Sequence, residues 1–470
     1  MDIIDSPFDM KLDLQKYMFN MSRQMYCVIA LLLSVFCLLS CSDKDQYGRE
    51  LDSITILNDS ETFLFDRGES KSVTFELSPK DFIISENQVK LYPTDEFDYI
   101  SLSGIEYLRS GVYSAIIEDL DGGIEYNKDL SLKVSYNSQG HKQREVLSNS
   151  IKVSYTPRIY TFLKLSNEIV FHNNDHSAFT GLLNFNGILY LAFREGVGHR
   201  PDNTSDYGVI KIIANDGSGW KESGVIKDPT KDLRDPFLIE IDGRIRVYIG
   251  YNTFEGERYQ HSGSVYADFD NGQWSNVKPL KHDVPHIIWL WKVRKYLDKY
   301  YSVAYLEGEY PVLLSSTDGV DWKTVSIFEL EGELSEADMG FIGKFMYVCV
   351  RKDKPIGTPS FWGVAKYPFD KFSWKEMDTC VESPELYRLP FANSFLLAGR
   401  ERHAGSDEVS VSLFSASETG GLKRIAMLDT GLDADKGYPG MTVMNEHLYC
   451  SYYTGSFTDT KIKVLKMNIK

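Results

Sequence analysis

Residues 303–322, VAYLEGEYPVLLSSTDGVDW, hold an apolar strand that ends in polar residues, a hinge, a second apolar strand, and a turn that delivers Trp322 to the head of a third. The same order recurs through the C-terminal two thirds of the chain. Strands with polar ends stand at Leu191-Ala192-Phe193-Arg194-Glu195, Tyr248-Ile249-Gly250-Tyr251-Asn252, Val303-Ala304-Tyr305-Leu306-Glu307, Val348-Cys349-Val350-Arg351-Lys352, Leu397-Ala398-Gly399-Arg400-Glu401 and Cys450-Ser451-Tyr452-Tyr453-Thr454, spaced 45 to 57 residues apart. Each follows another apolar strand and a turn such as Asn186-Gly187 or Asp242-Gly243, and each precedes a third strand, as at Val209 to Ala214. Fourth strands open at Trp220, Trp274, Trp322 and Trp374, with Leu422 in the fifth unit. Units of about fifty residues, each an antiparallel meander, predict an all-β fold with a six-bladed β-propeller over 158–470. The sixth unit ends at Lys470 after its third strand, so Tyr160 to Phe171 is expected to supply the missing outer strand and close the ring.

Upstream, Ser72 to Leu77, Ser131 to Tyr136 and Ser150 to Tyr155 are short β-rich runs broken by Asp, Gly, Asn and Pro. Without helical periodicity they predict a small β-sandwich over 51–157, with a spacer role and Pro157 at its end. The one long apolar run, Tyr26 to Leu39, follows Arg23 and is too short for a comfortable membrane span. It reads as an export signal over 1–41, with Met21 or Met25 as alternative starts, followed by a polar tether over 42–50. Leu38-Leu39-Ser40-Cys41 resembles the lipobox of bacterial lipoproteins. The resemblance implies lipidation of Cys41, a lipid anchor in the membrane, and a place in the outer membrane facing the cell surface or the periplasm.

The 470 residues are 43% hydrophobic and 25% charged, which excludes general disorder, and 51 basic against 67 acidic side chains exclude a strongly basic nucleic-acid binder. The excess of acid favours solubility. Cys27 and Cys37 leave with the signal, and Cys349, Cys380 and Cys450 sit among apolar residues and read as buried thiols. CxxC, HExxH and phosphate-cradling glycine motifs are absent, so neither a metal nor another cofactor is expected, and a tethered propeller is most simply a monomer.

In a propeller the innermost strands converge on one channel mouth, where a site gathers residues from every blade. At those strand starts stand His176, Ser177, Arg234, Asp235, Trp289, Trp291, Glu336, Ser383, Glu385 and Tyr438, with Arg194, Arg351 and Arg400 on the neighbouring strands. Ser316-Thr317-Asp318-Gly319-Val320-Asp321-Trp322 resembles the Asp-box turn of the sialidase superfamily, one residue short, and 214–220, ANDGSGW, is a degraded copy. That turn speaks for fold and not for activity. The order of Glu336, Arg351 and Tyr438 also resembles that superfamily, in which a glutamate opens the fourth inner strand, an arginine follows, and a tyrosine opens the last.

The resemblance implies a retaining exo-glycosidase acting on glycans with terminal acidic sugars. Tyr438 would be the nucleophile, activated by Glu336, because a neutral hydroxyl is not repelled by a carboxylate on the anomeric carbon. Arg351 would clamp that carboxylate. The general acid falls in the loop before the degraded box, where Asp206 is the closest match and Asp202 competes. Arg194, Arg234, Asp235, Arg400, His176, Trp289 and Trp291 complete the expected substrate-binding set. His176-Ser177-Ala178-Phe179-Thr180 stands where sialidases carry the first arginine of a triad, so Arg194 or Arg234 has to substitute, or the sugar differs. Arg234-Asp235-Pro236 also resembles a motif of five-bladed fructan-cleaving propellers, which use a carboxylate nucleophile. A non-catalytic glycan-binding propeller is the alternative.

Overall fold

The computed structural model describes residues 50–470 apart from 60–61, 66–69, 93–99, 120–125, 139–141, 156, 203, 256–257, 287, 306–308, 391, 403–406 and 433–434. The export signal, Cys41 and all but the last residue of the tether lie outside the described residues. The chain divides into two compact units, which part at Tyr155 and Thr156.

The first unit is all strand: β1 (Ser53–Ile56), β2 (Thr62–Phe65), β3 (Ser70–Ser78), β4 (Val89–Tyr92), β5 (Ile100–Arg109), β6 (Val112–Asp119), β7 (Tyr126–Asn137) and β8 (Gln143–Tyr155), with one short helical turn at Glu86–Gln88. The hydrogen-bonded order is β4-β7-β8-β1-β3-β6-β5, and β2 also pairs β8. The period of two is plain in β3, where Val73, Phe75 and Leu77 are buried between partly or fully exposed neighbours. The hydroxyl oxygen of Tyr136 in β7 accepts the amide of Leu51, in the entry segment, at 2.9 Å.

The second unit is the six-bladed propeller, and each blade is an antiparallel meander. Its innermost strands are His176–Phe185, Asp232–Ile241, Trp289–Tyr296, Glu333–Ile342, Cys380–Arg388 and Asp435–Met444. The sixth blade is completed by Phe162–Phe171, which pairs antiparallel with Thr460–Ile469, as the sequence leads one to expect. A strand from the start of the unit thereby closes the ring with its last strand, and the free edge is gone. Blade 2 departs from the simple pattern: its outer strand is only Gln273–Trp274, and Lys278–Pro279 pairs with the third strand beside it.

Between blades 2 and 3 the 316–322 turn acts as a clasp. Asp318 Oδ1 accepts the amides of Val320 at 2.8 Å and Asp321 at 2.9 Å, and Ser316 Oγ accepts the amide of Gly319 at 2.9 Å. Tyr248 of blade 2 donates its hydroxyl to Gly319 O at 2.7 Å, and Trp322 is fully buried against the Tyr248 ring. Cys349, Cys380 and Cys450 are free and buried, each blade-core thiol pushed up by burial, Cys380 to about 11.

Candidate active site at the channel mouth

Every innermost strand carries a bulge at the same place. Two residues stand opposite one on the second strand: Phe179-Thr180, Asp235-Pro236, Trp291-Lys292, Ser335-Glu336, Ser383-Pro384 and Tyr438-Pro439. Phe179, Asp235, Ser383 and Tyr438 have φ of 61°, 46°, 47° and 48°, the left-handed region that non-glycine residues seldom adopt. Proline follows three of these four, at a point where no ladder amide is required. The bulge turns side chains that would point into a blade toward the channel mouth instead. The repeat thus explains why polar residues interrupt otherwise apolar strands.

Tyr438 and Glu336 meet there. The Tyr438 hydroxyl donates to Glu336 Oε1 at 2.5 Å, and Glu336 Oε2 accepts Arg351 Nη1 and the amide of Ser383, each at 2.7 Å. Glu336 is buried, and burial with the charges of Glu336 and Asp235 raises the Tyr438 hydroxyl well above its ordinary value, so it keeps its proton at rest. The Tyr438 ring is held edge-on by Phe179 at 4.7 Å and Trp291 at 5.7 Å, with the Arg400 guanidinium 5.4 Å from its centre.

The arginines are of three kinds. Arg351 faces Glu336, Asp353 (2.7 Å from Nε) and Glu382 (3.7 Å from Nη2). Arg400 donates Nε to Lys436 O at 2.5 Å, Nη1 to Glu382 at 3.3 Å and Nη2 to the Tyr453 hydroxyl at 3.2 Å. Burial would raise Glu382, but Arg351, Arg400 and Arg402 outweigh it and hold the carboxyl below its ordinary value. Arg194 is different: it is 0% exposed, bonded to Asp232 at 2.8 Å and to Gly198 O at 2.8 Å, and has no edge for a ligand. Arg234 lies 5.0 Å over the Phe179 ring and donates to His199 O. It therefore occupies the ground above the bulge residue of blade 1.

A cavity of about 670 Å³ opens over this cluster, lined by Tyr438, Asp235, Arg234, Trp289, Tyr305, Arg200 and Asp202 among others. Asp206 is not on its wall; it closes the short turn Thr204–Asp206 and accepts Ser205 Oγ at 3.0 Å. Asp235 Oδ1 is buried without a hydrogen-bond partner, and burial pushes the carboxyl up to about 7, opposed by Arg234 and reinforced by Glu336. Trp289 stacks on Tyr305 at 6.5 Å and lines the cavity, whereas Trp291 packs deeper, under Tyr438. Below them Glu385 is paired with Lys292 at 2.8 Å and Arg294 at 3.1 Å, filling the channel. Tyr305, Tyr259, Arg200 and Glu382 join the site without having been singled out in the sequence. Tyr305 stands one place before the strand-end arginines in the repeat, so phase does not single it out.

His176 lies behind the mouth, not in it. His176 Nε2 and His199 Nδ1 stand 2.7 and 2.9 Å from the same Asp435 oxygen, and Tyr453 donates to the other at 2.6 Å. Burial lowers both imidazoles and, although burial alone would raise it, these donors hold Asp435 far below the carboxylate range. The two rings and the carboxylate place ligand-type atoms within 4.8 Å of one another. Arg194 Nη1, a donor only, faces His176 Nδ1 at 3.3 Å, so the His176 proton sits on Nε2 and goes to Asp435. The lone pairs a cation would take are already engaged in this network.

No protein-family model matches the sequence, and no curated protein does. Among solved structures, the endosialidase of phage phi92 is similar at a TM-score of 0.51 and 8% identity, over 72% of each chain. A Trypanosoma rangeli sialidase in complex with sialic acid aligns at 0.46 and 11%, over 66% of this chain and 59% of that one. A second structure of that sialidase, with a difluorosialic acid as covalent intermediate, aligns at 0.43 and 10%, and the chain spans 54% of its length. The chain has the six-bladed propeller fold of the sialidases, a glycoside-hydrolase type of scaffold.

Proposed function

We propose that the protein is a retaining exo-glycoside hydrolase that removes a terminal acidic sugar, sialic acid or a related 2-keto-3-deoxy sugar, from glycans. The observation that carries the reading is the Tyr438 hydroxyl donating to Glu336 Oε1 at 2.5 Å inside a cavity. Tyr438 Oη attacks the anomeric carbon as its proton passes to Glu336. The bond to the leaving oxygen breaks, and that oxygen takes a proton from Asp202, the loop carboxyl on the cavity wall. Water, giving a proton to the Asp202 carboxylate, then attacks the same carbon, the tyrosyl bond breaks, and Glu336 returns the proton to Tyr438. Two inversions retain the configuration. Arg351, which shares Glu336 with Tyr438, Arg400, over the Tyr438 ring, and Arg234, on the cavity wall, are the arginines offered to a substrate carboxylate, and Trp289 and Tyr305 give the sugar an apolar wall.

A glycan-capturing protein without turnover is favoured by one observation: internal acids already engage Arg351 and Arg400. The deciding experiment is hydrolysis by the full chain in detergent of sialosides, ketodeoxy-sugar glycosides and neutral aryl glycosides, with glycan binding measured alongside. Cleavage of one acidic class supports the hydrolase; binding without cleavage supports capture. We further propose that the chain is exported and held in the outer membrane through lipid on Cys41. Cys41→Ser should release it from the membrane fraction.

A further inference from the structure

We propose that a second cavity, across the 198–202 segment from the first, is the subsite for the leaving sugar, a neutral pyranose that stacks on Phe457. The inference rests on the hydrolase reading of the adjoining pocket. The second cavity measures about 450 Å³ and is lined by Val197, Gly198, His199, Arg200, Asp202, Phe457 and Thr458. That volume is within the range of small-ligand sites, ~300–1,000 Å³.

Arg200 and Asp202 belong to both walls. A group that protonates the leaving oxygen has to stand where the two halves of the substrate join, and Asp202 stands at the junction of the two cavities. The Tyr438 side takes the sugar that is attacked, which leaves the other side for the sugar that departs.

The wall has the chemistry of a sugar platform. Phe457 is 58% exposed and Val197 60% exposed, which costs burial that a surface loop has no need to give up. Phe457 is not loose: Ser456 Oγ accepts the amide of Asp459 at 3.0 Å, Ser456 N donates to Asp459 O at 2.8 Å, and His199 N donates to Phe457 O at 2.8 Å. The His199 ring meets the Phe457 ring edge-on at 5.6 Å and is itself fixed to Asp435. One flat apolar face, with Arg200, Thr458 and Asp202 at its border, matches a pyranose, which presents C–H bonds on one face and hydroxyls around its rim.

The test compares sialyllactose with sialosyl fluoride, which has no leaving sugar, for the full chain and for Phe457→Ala. The expected result is a roughly three- to tenfold fall in kcat/KM on sialyllactose, with the fluoride within about twofold of wild type, and recovery in Phe457→Tyr. An equal change on both substrates, no change on either, or a wild type that cleaves the fluoride and not sialyllactose overturns the proposal. If the wild type cleaves neither, the hydrolase reading fails by itself. Calorimetry with lactose then decides: binding that Phe457→Ala abolishes supports the platform, and no binding to the wild type overturns it.

Discussion

Tyr438→Phe separates the chemistry of the site from its architecture. The phenyl ring keeps the contacts with Phe179, Trp291 and Arg400, and only the hydroxyl on Glu336 Oε1 is lost. Glu336 retains Arg351 and the Ser383 amide on its other oxygen, so the carboxylate stays partly satisfied. Leaving one buried acceptor without its donor costs about 1–3 kcal/mol. At about 2–4 °C per kcal/mol for a unit of this size, the melting temperature should fall by several degrees and unfolding should stay cooperative. Turnover should fall far more, by about 10³-fold or greater, equivalent to about 4 kcal/mol of lost transition-state stabilisation. The assays are initial rates on sialosyl fluoride, a thermal melt, and intact mass after exposure to a 3-fluorosialosyl fluoride that slows the second step. Wild type should carry one sugar on the peptide containing Tyr438, and the variant none. Turnover above about a tenth of wild type in a folded variant, or an adduct on another residue, would refute the nucleophile assignment.

Asp202→Ala should lower kcat/KM on sialyllactose by roughly 10²–10⁴-fold and spare kcat/KM on sialosyl fluoride, whose leaving group needs no proton, although kcat on the fluoride should fall because the same carboxylate takes the proton of the attacking water; Asp206→Ala should change none of these. The reverse order in initial rates would return the acid to Asp206. Asp235, raised to about 7 in the folded protein, holds a proton that the unfolded chain releases near the ordinary aspartate value. Its contribution to stability is therefore complete below that ordinary value and is lost as pH rises toward 7, on the order of 1–4 kcal/mol. Asp235→Asn should be more stable than wild type in urea at about pH 8 by more than at about pH 5, and a pH-independent difference would count against the shift. Gly319→Ala should destabilise the propeller by about 2–4 kcal/mol, because φ is +69° and the added Cβ meets Tyr248 Oη at 2.4 Å; an unchanged melt would contradict the clasp between blades.

The ring was legible because a propeller repeats its pattern, and even the strand that closes it could be placed by counting to the missing position. Strand phase also found the mouth, since Tyr438, Glu336 and Asp235 sit on the bulges. Phase locates a residue around the channel but says nothing of what the next blade brings to it. Arg194 shares the phase of Arg351 and Arg400, yet Asp232 from blade 2 and the bare backbone of Gly208 make a closed cell around it, where a Cβ would lie 2.3 Å from Arg194 Nε. His176 is likewise taken by Asp435, which is 259 residues away in the chain. The loop acids had no phase to read: Asp202 and Asp206 are both outside the strands, and which one meets the cavity depends on a turn with no periodic signature.

On the proposed reading, the charge at the mouth bears on how a substrate carboxylate would be accepted. Arg234, Arg351, Arg400 and Arg402 are grouped with Glu336, Asp353 and Glu382, while Arg194 and Asp232 cancel behind them. With Asp235 protonated, these side chains leave one positive charge; with Asp235 ionised they leave none. Burial pushes its carboxyl up to about 7, so this set of side chains loses its one net positive charge as pH rises past that value. A substrate carboxylate seated beside Arg351 would add a negative charge near Asp235 and raise its proton affinity further. Sugar and proton would then bind together, each favouring the other, and the uncharged Asp235 would donate a hydrogen bond to the sugar in place of repelling it. On the proposed reading, the Asp235 bulge, which buries one carboxyl oxygen without a hydrogen-bond partner, would let a neutralised aspartate meet a substrate carboxylate where an ionised one would repel it.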